Sequence, residues 1–94
     1  MALFVLRCLD KPGALELRMA TREAHLAYLQ PQGDAVKLAG PLLGADGSPV
    51  GSLLIIDVED LAAAQAFSAA DPYTKAGLWG DVEIAAFRLT LGQL

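Results

Sequence analysis

An α+β fold is predicted for this sequence by three features. Apolar runs of strand length alternate with runs of helix length, residues 14–30 contain neither Gly nor Pro, and Gly/Pro/Asp clusters separate the runs. The resulting order is strand, helix, strand, strand, helix, strand.

The first strand is residues 2–9, ALFVLRCL, dense in apolar and β-favouring types and ended by Asp10-Lys-Pro-Gly. Strong helix formers follow over residues 14–30, with Leu15, Met19, Arg22, Leu26 and Leu29 at three- and four-residue spacings. Pro31 has no backbone N–H to donate and Gly33 lies just beyond, so the helix is expected to end or bend there. Residues 35–43 form a short second strand containing Gly40-Pro41, and Gly44-Ala-Asp-Gly-Ser-Pro makes a turn. In the third strand, residues 50–58, Ser52, Leu54, Ile56 and Val58 share one face and Leu53, Ile55 and Asp57 the other. Its middle is apolar on both sides, the mark of a strand covered twice. Asp60 is placed to cap a second helix, which must stop before Asp71 because Pro72 drives the preceding residue out of helical geometry. A linker through Thr74-Lys-Ala-Gly leads to a last strand over residues 79–91.

Two βαβ halves in this order predict the split arrangement of ferredoxin-like folds, an antiparallel sheet with both helices on one face. One domain over residues 1–94 is all that 94 residues can build. With 54% of residues apolar, the bare sheet face is expected to stack on a second copy. Seven Lys plus Arg against eleven Asp plus Glu give a charge of −4, which argues against nucleic-acid and membrane-surface partners. No apolar run approaches the roughly 20 residues of a membrane span, and the start lacks a signal-peptide pattern, so a cytoplasmic location is expected. Cys8 stands alone and reads as a small buried hydrophobe. A single histidine without a cysteine companion gives no basis for a metal site, and no cofactor motif is present.

The sole histidine, His25, is the one side chain suited to take and give a proton near neutrality, and Arg22 shares its side of the first helix. A half-exposed histidine without a role fits the same spacing. A catalytic imidazole needs an orienting carboxylate, for which Asp71, Asp10 and Asp34 are candidates. Asp71 stands in Asp-Pro-Tyr, where Pro72 stiffens the corner that carries it; the same triplet also suits a simple helix stop. Tyr73 can wall a pocket, Gly40-Pro41 permits close approach of a ligand to the backbone, and Ser52 is a lone hydroxyl in an apolar strand.

Taken together, Arg22-Glu-Ala-His25-Leu26-Ala-Tyr-Leu29, Ala39-Gly40-Pro41, Ala63-Ala64-Gln65-Ala66-Phe67 and Asp71-Pro72-Tyr73 with Gly77 resemble the YciI family over almost the full chain. The resemblance implies a dimeric α+β barrel and a histidine–aspartate centre, carried here by His25 and Asp71. Arg22, Gly40, Pro41, Ser52 and Tyr73 are expected to bind substrate. It further implies acid–base chemistry without a cofactor on a small oxygenated ring, such as elimination of chloride from a chlorinated hydroxyquinol or isomerisation. The alternative is a metabolite-binding or structural dimeric domain without catalysis. The chain departs from the family pattern at Pro31-Gln-Gly33, and its loop after Gly40-Pro41 is short, both of which bear on pocket shape.

Overall fold

The computed structural model describes residues 2–94. Its elements are β1 (Ala2–Asp10), α1 (Leu15–Leu29), a 3₁₀ segment (Gln30–Ala35), β2 (Val36–Leu43), β3 (Pro49–Val58), α2 (Leu61–Ala70), α3 (Pro72–Lys75) and β4 (Trp79–Phe87). The strands form one antiparallel sheet in the order β2-β3-β1-β4. This is the ferredoxin-like order expected from the sequence.

Local signals act largely as their chemistry dictates. Asp60 Oδ1 accepts the Ala63 N–H at 2.8 Å and starts α2. Pro31 diverts α1 into the 3₁₀ segment, and Gly33, at φ 59°, breaks that segment and releases the chain into β2. Two expectations need correction. The last strand stops at Phe87, which pairs with Leu3 at the end of the β1–β4 ladder. Residues 72–75 form a short helix instead of a linker, since Asp71 Oδ1 accepts the Tyr73 N–H at 2.9 Å and Pro72 suits a first helical turn.

Paired residues across the sheet share a face. On one side Phe4 faces Ile56 and Leu6 faces Leu54, and these join Cys8, Leu29 of α1, and Ala64 and Phe67 of α2 in the core. Both helices therefore cover that side. The opposite set, including Leu3, Val5, Leu53 and Ile55, packs against no helix of that cluster.

Gly51 marks the tightest backbone approach in the sheet. A Cβ there would lie 2.5 Å from the Cys8 carbonyl oxygen, so Gly51→Ala must push β1 and β3 apart. A loss of about 1–3 kcal/mol is expected in urea unfolding, the usual cost of overpacking. Cys8 itself is buried, and burial, with the Asp71 charge, pushes its thiol up to about 12. The thiol holds its proton more tightly folded than unfolded. Its contribution to stability is therefore whole below pH 9 and declines as pH rises toward 12. At pH 8 a thiol reagent is expected to leave the native protein unlabelled and to label it on addition of denaturant.

Candidate active site

The stripe of α1 at residues 18, 22, 25 and 29 turns toward the sheet, and it carries two buried polar side chains, Arg18 and His25, beside the buried Leu29. His25 is 7% exposed and Asp71 3%. The Asp71 carboxylate approaches His25 Nδ1 at 2.8 Å through Oδ1 and 3.0 Å through Oδ2. A carboxylate only accepts, so Nδ1 donates and carries its hydrogen toward Asp71. Asp71 is fixed in turn by the Tyr73 N–H, and the Tyr73 ring stacks on the imidazole with centroids 4.1 Å apart. The imidazole is thus held from one edge and one face.

His25 Nε2 has no protein partner in the hydrogen bonds of the described residues, and none of their buried side-chain nitrogens is left unpaired. Nε2 therefore reaches open space. His25 lines a cavity of about 230 Å³ bounded by α1, β2, β3 and α3, with Leu26, Leu29, Ala39 and Pro41 among its apolar walls. An apolar cavity of about 150 Å³ suffices for one benzene, so there is room here for a substituted single ring.

The site residues named from the sequence fall into distinct places. Tyr73 and Ser52 are buried in the cavity wall, Gly40 and Pro41 contribute the exposed strand β2, and Arg22 stands exposed at the rim. Ser52 is tied up with a neighbour: its Oγ accepts from Arg18 Nη2 at 2.9 Å. Among the alternative carboxylates, Asp10 binds Arg18 through Oδ2 at 2.7 Å and Oδ1 at 2.9 Å, and Asp34 lies exposed in the 3₁₀ segment.

Arg18 escaped the sequence reading. It is 4% exposed, bonded to Asp10 and Ser52, and its guanidinium lies 4.8 Å from the Tyr73 ring centroid and 5.7 Å from that of Trp79. Burial opposes its charge, yet the hydrogen bond and charge of Asp10 raise its pKa above the ordinary arginine value. The one available signal was its seven-residue spacing from His25, two helical turns along the same stripe. No group of three or more His, Cys, Asp or Glu among the described residues is arranged to hold a metal ion.

The family model for the YCII-related domain matches residues 2–88. The chain belongs to this family. It is 39% identical over 94 residues to protein YciI of Escherichia coli O6:H1, covering 92% of this chain and 96% of that one. An uncharacterized protein of Haemophilus influenzae is 37% identical over 93 residues, covering 90% and 95%. Among solved structures, it is similar to 5-chloro-2-hydroxyhydroquinone dehydrochlorinase (TftG) of Burkholderia phenoliruptrix AC1100 in complex with 2,5-dihydroxybenzoquinone. The TM-score is 0.85 at 37% identity, covering 96% of this chain and 95% of that one. A dimeric ferredoxin-like protein from Jannaschia sp. CCS1 matches in fold alone, with a TM-score of 0.52 and 17% identity over 95% and 100% of the chains. This YCII-domain chain has no helix among its described residues long and apolar enough to cross a membrane.

Proposed function

We propose that the chain is a cofactor-independent enzyme in which His25, oriented by Asp71, moves protons on a small oxygenated ring. The observation that carries this reading is the buried His25–Asp71 contact beside the cavity that His25 lines. Asp71 fixes the tautomer that leaves Nε2 basic and steadies the imidazolium once it forms. Arg22 at the rim attracts an anionic group, and Gly40, Pro41, Ser52 and Tyr73 shape the bed of the ring.

A chlorinated hydroquinone fits this machinery, in keeping with the dehydrochlorinase activity of the similar TftG. His25 first takes a ring hydroxyl proton and returns it to the neighbouring carbon that bears chlorine, leaving a ketone and a saturated carbon. Removal of the hydroxyl proton para to that ketone then sends its electron pair through the ring double bond and expels chloride. One proton and one chloride depart and a quinone remains. The departing chloride carries off the electron pair, so the step needs no external oxidant.

The test is incubation of the protein with 5-chloro-2-hydroxyhydroquinone, following chloride by electrode and quinone by absorbance, with deuterium uptake into ring carbons recorded in D2O. Chloride release or ring exchange well above the protein-free rate is expected. Neither signal, together with tight binding of the ring, would identify a metabolite-binding domain instead. The uncovered sheet face supports pairing with a second copy, which would give the dimeric α+β barrel. Sedimentation at micromolar concentration is expected to give twice the 9.8 kDa chain mass, and a stable monomer would rule the pairing out.

A further inference from the structure

Among the described residues, the ionisable groups lining the cavity are Arg18, Arg22, His25 and Tyr73, with no aspartate or glutamate beside them. The carboxylates that serve the site, Asp10 and Asp71, stand behind Arg18 and His25. A chain with a formal charge of −4 thus presents cations to its cavity.

The hydrogen-bond inventory of Arg18 sharpens this. A guanidinium has five N–H donors. Nε and Nη2 bond the two Asp10 oxygens, and Nη2 also bonds Ser52 Oγ. Both remaining N–H groups belong to Nη1, which has no hydrogen bond of good geometry among the described residues; the Tyr73 side chain is a further polar neighbour and adds to the rise in the Arg18 pKa. No buried side-chain nitrogen among them lacks a partner, so Nη1 reaches accessible space, and the space that Arg18 lines is the cavity. The bidentate Asp10 grip and the Tyr73 and Trp79 rings set the guanidinium plane beforehand, so a ligand oxygen meets donors already in place.

We infer that Arg18 Nη1 holds an ionised oxygen of the ligand, which makes the substrate class the phenolate or enolate of a small hydroxylated ring and not its neutral form. The inference rests on the proposed function for the ring, and it assigns the cavity two poles, an oxyanion seat at Arg18 and a proton-transfer edge at His25. Arg22, exposed at the rim, attracts anions without fixing their position.

The test uses 2,5-dihydroxybenzoquinone as an ionised probe and 1,4-dimethoxybenzene as a neutral one, titrated at pH 7 through the fluorescence of Trp79. Arg18→Lys keeps a cation against Asp10 but removes the fork. It is expected to weaken the ionised probe at least tenfold and to leave the neutral probe unchanged. If that variant fails to fold, Asp10→Asn/Arg18→Gln keeps a neutral hydrogen-bonded pair and should show the same selective loss. Equal affinity of wild type and variant for the ionised probe, equal losses for both probes, or no binding of the ionised probe to wild type would each overturn the inference. Selective loss without chloride release by the wild type counts against the proposed reaction alone. Chloride release with unaltered binding in the variant counts against the seat alone.

Discussion

His25→Asn is expected to lower turnover of the ring substrate by about 10²–10⁴-fold, the usual contribution of a placed acid–base group. Asparagine retains an amide N–H that can face Asp71, so the carboxylate keeps a donor and the corner at α3 keeps its cap. The loss should therefore fall on kcat with little change in the thermal midpoint. Asp71→Asn separates the roles further. It can still accept the Tyr73 N–H, but it no longer selects the His25 tautomer or steadies its charged form, and a fall of about 10³-fold or more in kcat is expected. Steady-state rates with both variants, beside melting curves, check the pair. A His25→Asn enzyme with wild-type kcat would end the argument for proton transfer by the imidazole.

Arg18→Ala is expected to produce the largest stability loss of any single change at the site, about 3–5 kcal/mol, because it strands the Asp10 carboxylate in a buried setting. Against a total of about 5–15 kcal/mol for ordinary domains, that is enough to unfold a substantial fraction of so small a protein. Asp10 and Arg18 have side chains only 6% and 5% exposed, so solvent screens their contact weakly. The companion experiment is Asp10→Leu/Arg18→Met, which removes both charges and keeps volume. Urea unfolding should place the double variant well above Arg18→Ala. A single variant as stable as wild type would mean that water reaches Asp10 freely.

The fold was legible because each long element carries its own period. β3 is an apolar run of strand length bounded by turn residues, α1 lacks breakers, and Asp60 and Gly33 act within a few residues of where they stand. What escaped depends on neighbours distant in sequence. The β1–β4 ladder ends at the Leu3–Phe87 pair, a long-range property that nothing in residues 88–91 reveals. The buried pair at Arg18 joins a helix residue that reads as surface to an aspartate that reads as a turn, and its third partner lies 34 residues away. His25 and Asp71 are 46 residues apart, so their meeting is a property of the topology, and spacing alone left Asp10 and Asp34 as candidates beside Asp71. The proline-stiffened Asp-Pro-Tyr corner favoured Asp71, and the family resemblance pointed to the same residue, where periodicity had no power to choose.

The cavity is walled on one side by Ala39, Gly40 and Pro41 of β2, a border strand bonded to β3 alone. The opposite wall is α1, anchored through the charged contacts of Arg18 and His25. Substitutions along that border can therefore recontour the ligand bed with little disturbance to the imidazole and guanidinium across from it. Under the proposed function, selectivity and reactivity are lodged in separate parts of the chain, an arrangement that would let a lineage of such proteins exchange one ring for another while retaining the same His25–Asp71 corner.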